Sequence, residues 1–253
     1  MSRLKTNQEL NSLALKARRI LGEDSYSPID VFAVVNGWSR QRITVVRYPF
    51  PAHISGMCTK EENDVIIAVS SVSSYGRQRF TLAHELYHVL FDKGQTRVIC
   101  DMSMGDDKSE TEREADLFAS YFLMPYDALM QYSEAKEQWT LKDVIEAEQF
   151  FQVSHQAMLF RLKLDGYITK EQEAEYKAIA VSKAAARLGY GRELYYPMAE
   201  GKKYFTTGEN IRQVEYLAEE GKISAGKREE LLLDAFRADI VYNFDEEDME
   251  LND

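Results

Sequence analysis

Cysteine is scarce in this chain: Cys58 and Cys100 are the only two in 253 residues. They are too few for a disulfide framework and make no metal-binding spacing with each other. The expectation is a pair of buried, inert thiols in a reducing cytosol. Long apolar runs are also missing. None approaches the ~18 residues needed to span a bilayer, so no membrane partner is expected. The opening MSRLKTNQELNSLALKARR has no apolar core of the kind a signal peptide carries. Positive charge is in deficit, with a formal net charge of −11, which argues against a general nucleic-acid-binding surface. The tail DEEDMELND (245–253) accounts for six of those negative charges and reads as a solvating end. There is no internal repeat. What remains, 45% hydrophobic and 29% charged residues, is the composition of a soluble globular protein, and a cytoplasmic one is expected.

Helical periodicity runs through 7–22 and 27–38, the second segment opening at Ser27-Pro28 and closing at Asn36-Gly37. Three strand-like runs follow, ITVVRY (43–48), HISGMCT (53–59) and DVIIAVS (64–70), bounded by Pro49, Pro51 and the polar KEEND turn. A helix is expected over 73–94 with Gly94 past its end, then a loop over 95–108 and a helix over 109–125. The segment 139–169 outlines a helix-turn-helix broken at Gln152-Val153-Ser154. One more helix spans 170–189, a glycine-rich connection follows, and a helical pair closes the chain. These boundaries suggest three parts: 1–130, 131–188 and 189–253.

Chemistry concentrates in TLAHELYHVLF (81–91), which holds His84-Glu85-Leu86-Tyr87-His88, an H-E-x-x-H pattern. On a helix, residues four apart lie about 40° apart, so both imidazoles can face one metal ion. Glu85 is turned by one residue and can reach a water at the metal instead of the metal itself. The bland alternative, two solvated histidines on an amphipathic helix, fits poorly. Residues 82, 83, 86, 87, 89, 90 and 91 are all apolar or aromatic, so the helix is buried on most sides and its histidines need partners.

A second clue lies in SETEREADLFASYFLMP (109–125). Ser109 and Glu112 have the spacing of a capping box, and Pro125 ends the helix. At about 100° per residue, Leu117, Phe118, Tyr121 and Phe122 fall within roughly 80° of Glu114. Glu114 therefore sits in an apolar stripe, where an unpaired carboxylate is strongly disfavoured; Glu112 and Asp116 point away and read as solvated. The expected resolution is that Glu114 joins His84 and His88 as a third ligand, a His₂Glu set that suits catalytic zinc. The alternatives are an ion pair with a basic residue such as Arg77 or Arg79, or Glu110 as the ligand. Zinc held in this way would lower the pKa of water and polarise a scissile carbonyl, with Glu85 as general base. Tyr121 and Tyr87 are candidate oxyanion donors, set against an ordinary core role. DVIIAVS can be an exposed edge that takes substrate as an added strand, or an internal strand.

RQRFTLAHELYHVLF, EREADLFASYFLMP and FFQVSHQAMLFRLKLDG together resemble the ImmA/IrrE family of zinc metallopeptidases over roughly residues 25–170. By position the resemblance implies His84, His88 and Glu114 as ligands and Glu85 as base. One departure is Tyr87, where many members have glycine. The implied fold is α+β: a zincin-like domain with a small mixed sheet and active-site helices, then a helical C-terminal half with the helix-turn-helix-like segment. The implied function is site-specific cleavage of a helix-turn-helix repressor that releases a prophage, mobile element or stress regulon. Zinc is the expected cofactor, with manganese as the alternative ion. Rival readings are a regulator with a structural metal site and a toxin-like partner of an antitoxin. Between 140 and 170, four basic residues (Lys142, Arg161, Lys163, Lys170) face four acidic ones (Asp143, Glu146, Glu148, Asp165). That balance favours packing or substrate docking over DNA binding.

Overall fold

The computed structural model describes residues 4–92, 97–101, 109–134 and 136–242. Gly94 and the acidic tail lie outside the described residues. The chain opens with α1 (Asn7–Ile20), held at its start by a Thr6/Glu9 capping box, and α2 (Val31–Gly37), capped by Asp30. Three strands follow, β1 (Arg42–Tyr48), β2 (Ile54–Glu61) and β3 (Asp64–Ser70). Next come α3 (Tyr75–Leu90), β4 (Arg97–Asp101) and α4 (Glu110–Leu123). The helical half contains α5 (Tyr126–Ser133), α6 (Leu141–Phe151), α7 (His155–Leu164), α8 (Lys170–Lys177) and α9 (Val181–Arg187). It is followed by β5 (Phe205–Gly208), α10 (Glu209–Glu219), α11 (Ala225–Asp234) and α12 (Ala238–Tyr242). The fold is α+β, and no helix of the described residues is long and apolar enough to cross a membrane.

The sheet is mixed, in the order β4-β2-β3-β1-β5. β1 and β3 run parallel in register Arg42↔Asp64 to Tyr48↔Ser70, and the other pairs are antiparallel. Two strands are additions to the sequence reading. β4 lies inside the stretch expected to be a loop, and β5 returns the C-terminal region to the free edge of β1. β3 is the middle strand rather than an exposed edge, consistent with the burial of Val65, Ile67, Ala68 and Val69. The helix expected over 170–189 breaks after Lys177, where His155 Nε2 meets the Tyr176 carbonyl at 3.0 Å.

One face of the sheet carries α3, which carries α4, which carries α1. Cys58, Ile67 and Val69 from the sheet join Phe80, Leu82 and Leu86 of α3, Phe118 and Phe122 of α4 and Leu10 and Ala14 of α1 in one core cluster. Every residue of α3 from Gly76 to His88 is buried. The Phe122 and Met124 carbonyls at the C-terminal end of α4 would be orphaned in this interior, and two buried arginines satisfy them. Arg18 of α1 donates to the Phe122 carbonyl at 2.7 Å; Arg161 of α7 donates to Met124 at 2.6 Å and Ser120 at 3.3 Å. Arg161 is also paired with Asp165 at 2.7 Å. Arg161→Ala is expected to cost about 3–5 kcal/mol by leaving Asp165 and these carbonyls uncompensated, a loss that denaturant unfolding would measure.

The helix-turn-helix outline is present, with Gln152 in the left-handed region (φ 55°) at the turn. Its second helix is committed to the interior. Ala157, Met158, Leu159, Arg161 and Leu162 are all buried, so α7 spends its face on α3 and α4.

Candidate metal centre

α3 places His84 and His88 one turn apart with their Nε2 atoms 3.3 Å from each other. Each ring is turned by a carboxylate behind it. His84 Nδ1 lies 2.9 Å from Asp116 Oδ1, and His88 Nδ1 lies 3.4 Å from Asp92 Oδ2. A proton on Nδ1 shared with these carboxylates leaves both Nε2 lone pairs facing inward, the orientation that carboxylate–histidine pairs give to metal ligands. The carboxylate that meets them is Glu112, with Oε2 3.2 Å from His84 Nε2 and Oε1 3.3 Å from His88 Nε2. Cys100 of β4 completes the group, its Sγ 3.9 Å from His88 Nε2. One ligand atom from each of the four residues lies within 4.8 Å of all the others. Two imidazole nitrogens, a carboxylate and a thiol converging in this way form a donor set that fits zinc.

The expected third ligand is placed elsewhere. Glu114 accepts from the Lys5 backbone N–H at 2.7 Å, from Lys5 Nζ at 2.6 Å and from the Tyr87 hydroxyl. Burial opposes its charge, but Lys5 and Tyr87 hold its carboxyl below the usual range. α4 is buried on two faces, not one. The Glu114 face packs against α1 and Tyr87, while Glu112 and Asp116, taken as solvated, lie on the opposite face against the histidines. Their side chains are only 19% and 15% exposed. Neither Arg77 nor Arg79 partners Glu114; Arg79 donates to the Ile29 and Gln152 carbonyls. Glu110 is exposed in the first turn of α4. The two tyrosines are also committed elsewhere: the Tyr87 hydroxyl to Glu114 and Lys5, and the Tyr121 ring beneath the Arg161 guanidinium at 4.2 Å. Glu114→Gln is expected to lower stability by about 1–2 kcal/mol through the weakened Lys5 pairing and to leave zinc stoichiometry unchanged, as melting curves and metal analysis would show.

Glu85 is fully buried, and neither carboxylate oxygen has a hydrogen-bond partner among the described residues. Burial raises its carboxyl above the usual range, against the opposing pull of His84, Cys100 and His88. Gly56 of β2 makes room for it. A Cβ at that position would stand 2.6 Å from Thr81 Cγ2, 2.9 Å from the Ala68 carbonyl and 3.0 Å from Glu85 Oε1. Gly56 was not singled out from the sequence, where an isolated strand glycine signals close backbone approach only in general terms. Gly56→Ala is expected to destabilise by about 1–3 kcal/mol and to displace Glu85 while His84, His88 and Glu112 still take up metal.

In the metal-free protein a proton takes the role of the cation. Burial opposes charge on His84, but its hydrogen bonds to Asp116 and Glu112 raise it to about 9. That proton stabilises the metal-free fold fully below about pH 6.5, and the contribution is lost as pH rises through about 9. Because zinc must displace it, this proton alone should make zinc affinity rise by about tenfold per pH unit until about pH 9. A competition titration that found affinity flat with pH would remove His84 from the ligand set.

Residues 39–163 match the family model described as Peptidase M78: IrrE N-terminal-like domain. The chain carries an IrrE N-terminal-like domain. That match supports the ImmA/IrrE family, and the matched span of the M78 domain runs from the start of the sheet through α7, taking in all four converging residues. No curated protein matches the chain. Among solved structures, a Mycobacterium tuberculosis transcriptional regulator is similar at 15% identity and a TM-score of 0.43, over 66% of this chain and 49% of that one. The match thus spans about half the length of that regulator.

Proposed function

We propose that the chain is a zinc-dependent endopeptidase in which His84, His88 and Glu112 hold the metal and Glu85 is the general base. The observation that carries this reading is the pairing of a convergent His₂Glu set with a buried carboxyl that ligates nothing. A purely structural centre has no use for Glu85, whereas peptide hydrolysis requires a base beside the metal. Zinc, when bound, supplies Lewis acidity that activates water and polarises the scissile carbonyl. The protein's own residues do the rest. Asp116 and Asp92 fix the imidazoles, Glu112 closes the set from α4, and Glu85 takes a proton from water and passes it to the leaving amine.

The substrate in this reading is a helix-turn-helix repressor whose cleavage releases a prophage, mobile element or stress regulon. This is supported by the family resemblance, while the buried, charge-balanced α6–α7 segment suits packing within the domain over DNA binding. The test is incubation with helix-turn-helix repressors from the same genome, with and without chelator, followed by mass spectrometry of the fragments. Cleavage at one site, abolished by chelator, is the expected result. An intact repressor in stoichiometric complex with metal-loaded protein would instead favour an antitoxin-like partnership.

A further inference from the structure

Resting on the peptidase reading, we infer that Cys100 is a fourth metal ligand that closes the centre in the resting protein, so that the enzyme is self-inhibited until this thiol is displaced. Four protein ligands around zinc are the pattern of a closed, structural site, while a catalytic site keeps one position for water. Here the four-donor group of His84, His88, Glu112 and Cys100 coexists with Glu85, which belongs to the open kind of site. Both observations hold together if one donor is removable. His84 and His88 are fixed on a helix buried from Gly76 onward, and Glu112 is on a helix packed between α3 and α1. Cys100 alone of the four comes from a strand, and β4 is the outermost strand of the sheet, joined to it through β2. That ladder is already irregular beside the site, with a register shift between Ile54 and Gly56, the residue paired with Cys100. Withdrawal of Cys100 leaves the inner strand pairs untouched.

The exchange balances simply. As the sulfur–metal bond forms, the thiol proton leaves to solvent, because a coordinating thiol is deprotonated. When that bond breaks, sulfur takes a proton back and water gains the position. No electrons are transferred.

Cobalt(II) substituted for zinc reads the ligand directly. Wild-type protein is expected to bind one cobalt ion with a sulfur-to-metal charge-transfer band. The band is expected to be lost in Cys100→Ser and Cys100→Ala, and retained in Cys58→Ser, which removes the other thiol. Zinc-loaded Cys100→Ala should cleave substrate at least about tenfold faster than wild type. Failure of wild-type protein to bind a metal ion would overturn the peptidase reading itself. One bound cobalt with no such band, or a band lost in Cys58→Ser and kept in Cys100→Ser, would overturn only the role of Cys100. A Cys100-dependent band with no gain in cleavage by the alanine variant would overturn self-inhibition. Should Cys100→Ala fail to fold, the wild-type spectrum and the near-isosteric serine variant still decide the ligand.

Discussion

Glu85→Gln should bind zinc as the wild type does and cleave its protein substrate about 10²–10⁴-fold more slowly. The substitution changes one atom and keeps the shape of the side chain, so the pocket bounded by Gly56 and Thr81 is filled as before. Neither Glu85 oxygen has a geometrically formed hydrogen bond among the described residues, and the nearby Cys100 thiol can meet the amide oxygen as it does the carboxyl. The amide is neutral, as the carboxyl is when burial keeps its proton on, so the variant should fold with a stability close to that of wild type. Loss of activity with stability retained separates a catalytic group from a structural one. Metal analysis, a melting curve and a cleavage time course would together establish it. Full cleavage by this variant would end the account of Glu85 as the base.

The second large effect distinguishes two glutamates that stand two residues apart. Glu112→Ala is expected to weaken zinc binding by more than about 100-fold, since loss of an outer hydrogen-bond partner alone costs 10–100-fold and Glu112 faces both imidazoles. Glu114→Ala should leave zinc affinity within about threefold of wild type, because its carboxylate is engaged by Lys5 and Tyr87. Its effect should appear as lost stability instead. The reverse pattern would restore the assignment made from helix faces and remove Glu112 from the centre.

That contrast shows what could be read in advance. The two histidines and Glu85 lie within five consecutive residues of one helix, so their geometry follows from helical spacing alone. The third carboxylate depends on which side of α4 meets α3, and that is a tertiary fact. A single apolar stripe marked one buried face of α4, yet the helix has two. Its second face is lined by charged groups that serve the histidines, and polarity disguised it as solvent-facing. The partner of Glu114 was equally hidden, because Lys5 reaches it from 109 positions away in sequence. β1, β2 and β3 were legible within a residue or two because their β-branched runs are bounded by proline and polar turns. β4 and β5 were not. RVICD and FTTG are too short for alternation to declare itself, and each is a strand only because an existing edge pairs with it. Cys100 was missed for the same reason: its strand is what carries it to His88.

The most direct test of the centre is anomalous X-ray scattering at the zinc edge from crystals of the zinc-loaded protein. A single peak at about 2.0–2.3 Å from His84 Nε2, His88 Nε2 and a Glu112 oxygen is the predicted result. A peak bonded to Glu114, or a crystal with zinc in solution and none at these histidines, would contradict it.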